Sequence, residues 1–228
     1  MNLIRLHITT EGETELNFVK DVLAEHLMIN SGIHADARSV LASKDKRFNR
    51  ENRGGLSTYQ KAKNDIITWM KEDNHPECYF TTMFDFYRLP NDFPGYSQVM
   101  RLSDPYEKVH CLEKHFQDDI HAYNFIPYIQ LHEFEALIFA DPAKLDWEYL
   151  EHDKQISSSK AMSDGKNPEL INSGDETSPS KRILHLIPEY DKATAGVSVV
   201  KHIGMETLLN RCRHFSEWVN KLLSLGQS

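Results

Sequence analysis

Apolar positions along this chain alternate between runs of period two and runs of helical period. Leu3-Ile4-Arg5-Leu6-His7-Ile8 reads as a strand. Phe18, Val19, Val22, Leu23, Leu27 and Met28 then recur at helical spacing, predicting a helix that runs to about Asn30. Thr14, Glu15 and the acids before them suit its start, where negative charge is stabilised by the helix dipole. A short strand is expected around Ala37–Leu41, followed by a polar, basic connection ending in Arg53-Gly54-Gly55. A second helix begins at Ser57, carries Tyr59, Ala62, Ile66, Ile67 and Met70 on its apolar face, and is stopped by Pro76. Cys78–Phe84 is dense in aromatic and β-branched residues and predicts a strand running directly into Asp85. After a loop at Leu89–Gly95, a helix is expected over Pro105–Phe116. A further strand follows over Tyr123–Leu131, ending at His132-Glu133-Phe134-Glu135.

The order β-α-β-α-β-α-β predicts an α/β layered, Rossmann-like fold with a largely parallel central sheet. That core is expected to span residues 1–150, with a basic insertion near 42–57. From Asp153 to Ser180 the chain turns rich in Ser, Asp and Asn and loses its periodicity, which predicts an exposed, partly mobile excursion. Helices over Ser180–Pro188 and Gly204–Leu225 complete residues 151–228 and are expected to pack on the core as a helical C-terminal extension.

Composition narrows the class of protein without identifying it. Across 228 residues the hydrophobic fraction is 40% and the charged fraction 26%, as in ordinary globular proteins. No apolar run approaches the roughly 20 residues that span a bilayer, and no secretory leader is read at the start. Cys78, Cys111 and Cys212 are odd in number and widely spaced, which argues against a disulfide framework and for the cytoplasm. The formal charge of -8 is uneven: Arg38 to Lys63 carries about +6, leaving about -14 elsewhere. That segment is either an anion-binding patch or a solvated loop and helix face.

The candidate chemistry starts at Thr9-Thr10-Glu11-Gly12-Glu13-Thr14-Glu15, where three carboxylates crowd the end of the first strand. Clustered acids repel one another unless they face a cation or share a proton. Glu11, Asp85 and Glu133 each stand at or just after the end of a predicted strand, where open α/β sheets bind ligands. Oxygen ligands of this kind suit Mg²⁺ or Mn²⁺, and two such ions about 4 Å apart would serve phosphodiester cleavage. His110, Cys111 and His115 invite a zinc reading, but no paired CxxC or HExxH accompanies them, so no structural zinc is expected there. The absence of GxxxxGK[ST], GxGxxG and GxSxG patterns argues against ATP hydrolysis by this chain.

Glu11-Gly12-Glu13-Thr14-Glu15 resembles the EGxTE signature of Toprim domains in overcoming-lysogenisation-type nucleases. Over residues 11–192 the chain more closely resembles a family of unknown function with a Toprim-like fold. The elements carrying the resemblance are EGETE, Arg53-Gly54-Gly55, Asp85-Phe86-Tyr87-Arg88-Leu89-Pro90, His132-Glu133-Phe134-Glu135-Ala136-Leu137, Ser178-Pro179-Ser180-Lys181-Arg182 and Tyr190-Asp191-Lys192. In Toprim enzymes a glutamate after the first strand and a DxD pair after a later one hold Mg²⁺. The resemblance gives Glu11 the first role and Asp85 the first position of the pair. Tyr87 stands where the second aspartate belongs, so the pair is incomplete. Glu133 or Glu135 is a candidate to restore the charge, although two residues so spaced within an α-helix face different directions.

Glu15, one helical turn beyond Glu11, joins Glu11, Asp85 and Glu133 as a candidate metal ligand, while Glu13 is expected to be solvated or capping. Arg53, Lys181, Arg182 and Lys192 are candidate phosphate-binding residues or surface charges. Ser178-Pro179-Ser180 suits a helix N-terminus, itself able to hold an anion. Tyr87 either meets a phosphate or packs. The resemblance implies a Mg²⁺-dependent nucleic-acid phosphodiesterase with Glu11, Asp85 and Lys192 as its catalytic residues. It also implies an AAA/ABC-type ATPase partner in antiphage defence; homo-oligomerisation is open. The alternatives are a non-catalytic binding or regulatory subunit of an ATPase complex, and a small-molecule phosphotransferase.

Overall fold

In the computed structural model, which describes residues 3–45, 50–53, 55–171 and 177–227 (backbone alone at 41–45 and 50–53), the first strand, β1 (Arg5–Thr10), lies inside the main sheet. It pairs in parallel with β2 (His34–Ser39) on one side and β5 (Cys78–Asp85) on the other. β6 (Phe125–Ile126) and β7 (Ile129–Gln130) both add to the far side of β5, again in parallel. The α/β layered architecture with a parallel central sheet is therefore the observed one. A separate antiparallel hairpin, β3 (Leu41–Asp45) with β4 (Arg50–Arg53), occupies the predicted basic connection. Lys46, Arg47, Gly54 and the side chains of Lys44, Arg50 and Arg53 lie outside the described residues.

Alternation along the strands sorts side chains onto two faces. Leu6, Ile8 and Met83 join one core with Phe18, Leu23, Leu27, Val199, Trp218 and Leu222. Those partners come from the helical run α1 (Glu13–Phe18), a π-helical turn (Val19–Leu23) and α2 (Ala24–Ser31), and from two helices near the C-terminus. Phe80 and Phe84 face the other core, against α3 (Tyr59–Glu72) and, past the short α4 (Tyr96–Val99), α5 (Pro105–Ile120). Both faces of β5 are covered, which explains its near-continuous apolar and β-branched sequence.

The expected helical faces hold with local exceptions. Met28, in the last turn of α2, is 41% exposed. On α3 the buried row is Tyr59, Ala62, Ile66 and Trp69; Ile67 and Met70 sit at its margin. The predicted strand Tyr123–Leu131 is split into two pieces because Pro127 has no N–H to give the ladder. Tyr128 N–H donates instead to Thr82 Oγ1 at 3.0 Å.

The polar excursion contains more regular structure than its composition predicts. After 3₁₀ segments at Phe134–Ala140 and Pro142–Trp147, α6 (Asp153–Ser163) buries Ile156, Ser159 and Ser163. That helix-spaced row is two-thirds serine, so a hydrophobic pattern does not reveal it. A 3₁₀ turn (Pro168–Leu170) follows, then α7 (Pro179–Leu186). A π-helical turn (Lys192–Gly196) leads into α8 (Val197–Ile203), which the sequence reading omitted, then α9 (Met205–Arg211) and α10 (Arg213–Leu225). No helix among the described residues is long and apolar enough to cross a membrane.

Candidate metal centre

From β1 the chain crosses one face of the sheet to β2, then crosses the opposite face to β5 on the other side of β1. β1 and β5 thus flank the point where the winding reverses, and a crevice opens beyond their carboxyl ends. Glu11 leaves β1 there, and Asp85 ends β5 there. Glu11 N–H donates to the Met83 carbonyl at 3.2 Å, and Glu11 Oε2 accepts from Asp85 N–H at 3.2 Å. The main chain at the end of β5 therefore holds both the backbone N–H and the carboxylate of Glu11. Gly55 N–H donates to the Glu11 carbonyl at 2.9 Å, so the segment leading to α3 closes over the same turn.

Gly12 opens α1 in extended conformation, and its N–H donates to Glu15 Oε2 at 2.9 Å, folding that carboxylate back toward Glu11. The result is a cleft of about 190 Å³ lined by Glu11, Glu15, Asp85, Arg88, Glu135 and Lys192, among others. Glu11, Glu15 and Asp85 are each buried. Burial, reinforced by the Glu15 carboxylate, pushes the Glu11 carboxyl up to about 7. Burial also raises Glu15, and burial with the charges of Glu15 and Glu11 raises Asp85 well above the carboxylate range. Asp85 Oδ1 and Glu135 Oε1 are buried oxygens with no hydrogen-bond partner. Buried polar atoms are ordinarily paired, so these two mark an interrupted network.

Lys192 supplies the opposing charge. Asp191 caps the turn that carries it, accepting from Ala193 and Thr194 N–H at 2.9 and 3.1 Å. Lys192 Nζ donates to Glu135 Oε2 at 2.9 Å and Glu133 Oε2 at 3.2 Å. Although burial works against its charge, these two carboxylates hold the ammonium above its ordinary pKa. The expectation that Glu133 and Glu135 face apart is corrected. Glu133 is extended and Glu135 lies in the 3₁₀ segment that follows, so the α-helical geometry behind that expectation does not apply. Burial pushes Glu135 up to about 7. Burial also opposes ionisation of Glu133, but Lys192 and the Ser180 N–H, 2.6 Å from Oε1, hold it below the usual range. The N-terminus of α7, a candidate anion site, is thus met by the protein's own carboxylate.

The remaining candidates are less closely gathered. Glu13 is exposed. Lys181 is exposed, Arg182 Nε donates to the Thr177 carbonyl at 2.6 Å, and neither is among the described residues lining the cleft. Tyr87 packs on His132, ring centroids 5.2 Å apart. Arg88, one residue further on, lines the cleft, and its charge acts on Glu11 and Glu15. The sequence reading did not single it out; an arginine three residues after a strand-end aspartate was the available signal. Among His110, Cys111 and His115, the cysteine is exposed and unbridged, and His110 turns instead toward α10.

A family model described as "Domain of unknown function (DUF4276)" matches residues 10–223. No curated protein matches the chain. Among solved structures, the C-terminal region of the Burkholderia pseudomallei OLD protein is similar at 14% identity and a TM-score of 0.49, covering 99% of this chain and 100% of that one. The corresponding region of the Xanthomonas campestris pv. campestris OLD protein is similar at 13% identity and a TM-score of 0.47, covering 100% and 96%. At these values the neighbours say nothing about this chain's chemistry.

Proposed function

The chain belongs to the DUF4276 family, and we propose that it is a divalent-metal-dependent phosphodiesterase acting on nucleic acid. One observation carries the reading: Asp85, at the end of a central strand, is buried beside Glu11 and Glu15 with Oδ1 unpartnered. Burial without a counter-charge is costly for ionised carboxylates, and a hard cation with oxygen preference removes that cost. The donor set therefore fits Mg²⁺ or Mn²⁺. Glu11, Glu15 and Asp85 would hold the ion, with Glu135 Oε1 available as a further oxygen. Such an ion, when bound, polarises a phosphoryl oxygen and lowers the pKa of bound water.

The chain's own groups divide the remaining work. Gly12 N–H and Asp85 N–H fix the Glu15 and Glu11 carboxyl groups, so the acidic wall is positioned before any ligand arrives. Lys192, which also lines the cleft, is placed to neutralise charge developing on a phosphate oxygen, with Arg88 adding a second cation. Glu133 serves in this account to hold Lys192 and the start of α7, both its oxygens being engaged. Lys181 and Arg182 would follow the phosphate backbone outside the cleft, and Arg53 stays a phosphate-binding candidate from the sequence alone. The motif resemblance extends the proposal to a cytoplasmic partner of an AAA/ABC-type ATPase in antiphage defence, which co-purification from a native host would test.

The direct test incubates the purified chain with labelled DNA and RNA in Mg²⁺ or Mn²⁺. Cleavage lost on chelation and in both Glu11→Gln and Asp85→Asn is expected; unchanged cleavage in both variants removes the catalytic assignment. A second reading, a non-catalytic regulatory subunit, is favoured by Tyr87, which packs on His132 where a second acid would complete the pair. It expects metal bound in the cleft, partner binding retained, and no cleavage of any nucleic acid.

A further inference from the structure

Outside the acidic cleft, two groups of three side chains bring ligand-type atoms within 4.8 Å of one another among the described residues: His7, Asp73 and Cys78, and His110, His214 and Glu217. The first already holds a cation. Arg5 Nε donates to Cys78 Sγ at 3.2 Å, and Arg5 Nη2 meets Asp73 Oδ1 at 2.7 Å. In the second, the charged neighbour Arg213 engages only the outer oxygen of Glu217, Oε1, at 2.9 Å.

We propose that His110, His214 and Glu217 form a zinc site that clips α10 to α5. His214 and Glu217 are three apart on α10 and share a face, which opposes His110 on α5. His214 Nδ1 lies 3.2 Å from His110 Nε2, and Glu217 Oε2 lies 3.3 Å from the same His110 nitrogen. A tetrahedral zinc ion with bonds of about 2.0–2.1 Å holds its ligand atoms about 3.3–3.4 Å apart. Both edges match that spacing.

The protonation pattern is also that of a ligand. Glu113 Oε1 accepts from His214 Nε2 at 2.9 Å and from Ile129 N–H at 2.9 Å, so its place is fixed from two sides. Glu113 thereby holds a proton on His214 Nε2, and Nδ1 faces His110 Nε2, its lone pair open to a metal in the neutral imidazole. A carboxylate behind a histidine is the usual support of a metal-bound imidazole, setting both tautomer and ring orientation. His214 is buried and anchors the site, whereas His110 and Glu217 keep 42% and 38% of their side chains exposed and leave an entry path. Two imidazoles, a carboxylate and a position open to water make a ligand set that zinc accepts. None of the three residues belongs to the acidic cleft, so this inference stands independently of the proposed nuclease activity.

The test strips the full chain with chelator and titrates it with Zn²⁺ or Co²⁺. With excess Mg²⁺ present to occupy the acidic cleft, one zinc or cobalt ion per chain is expected, with an increase in melting temperature that grows with free Zn²⁺ or Co²⁺ concentration. His110→Ala and Glu217→Gln alter half-exposed side chains and should fold; affinity should fall about 100-fold and about 10-fold, with loss of thermal stabilisation in His110→Ala. Asp85→Asn should bind zinc as the wild type does, separating this site from the cleft. The cobalt form should show four-coordinate visible bands without thiolate charge transfer. Wild-type affinity in His110→Ala would overturn the proposal, as would no binding at all, the outcome for a His–His hydrogen bond alone. A thiolate band lost in Cys78→Ser would assign the ion to His7, Asp73 and Cys78 and equally overturn it.

Discussion

Two sets of buried carboxylates in this molecule carry the same chemical groups and opposite accounts. Glu169 is fully enclosed and accepts from His214 N–H at 2.9 Å, Phe215 N–H at 2.9 Å and the Tyr106 hydroxyl at 3.0 Å. Glu113, nearby, is held by Ile129 N–H and His214 Nε2. These acids join α10, α5 and the Pro168–Leu170 turn to one another. In the cleft, Glu11 meets Asp85 N–H at 3.2 Å, and Asp85 Oδ1 and Glu135 Oε1 meet no donor. Burial alone therefore does not mark a site. The difference lies in whether the protein supplies a donor to every buried oxygen; in the cleft Asp85 Oδ1 and Glu135 Oε1 are left without one, the place the proposed cation would fill.

Substitutions should separate the two sets, beginning with the largest effect. Asp85→Asn and Glu11→Gln should each lower metal-dependent cleavage roughly 10²–10³-fold in single-turnover assays, with circular dichroism unchanged. Glu169→Ala should instead cost about 3 kcal/mol in denaturant unfolding, because it leaves two buried N–H groups and a hydroxyl unpaired. Comparable activity losses without unfolding in Glu169→Ala would erase the contrast.

Smaller effects follow from pH. The Glu11 carboxyl sits at about 7 in the fold against an ordinary 4.5. Between those values the folded state keeps a proton that the unfolded state has lost, so metal-free stability should fall as pH rises from about 4.5 to about 7 and level off above. Glu135, also near 7, adds to the same slope. The loss should be on the order of 2 kcal/mol by chemical denaturation, shrinking when Mg²⁺ is added at pH 8 and in Glu11→Gln without metal. Flat stability across that window would contradict the reading of an unmet charge. Lys192→Met should be smaller still, about 1 kcal/mol at pH 8 and less at pH 5, where protonation of Glu135 removes part of the repulsion the lysine relieves.

The sequence made β1, β5 and the positions of Glu11 and Asp85 legible because strand periodicity and strand-end acids are local signals. What it hid depended on other segments. Pro127 splits a predicted strand whose second piece is set by Thr82 and Glu113 as well as by the β5 ladder. Glu133 and Glu135 converge because one is extended and the other lies in a 3₁₀ turn, a distinction that residue spacing does not carry. His110 was visible as a histidine near a cysteine, but its neighbours are His214 and Glu217, about a hundred residues away. Ser159 and Ser163 line the inner face of α6, where a hydrophobicity pattern has nothing to detect.

The central claim concerns a cation at the carboxyl ends of β1 and β5, and anomalous diffraction from crystals soaked in Mn²⁺ tests it most directly. A peak among the carboxylates of Glu11, Glu15 and Asp85, absent in Asp85→Asn, is the expected result. A fully ordered cleft without a peak, at a Mn²⁺ concentration that saturates binding measured in solution, would contradict it.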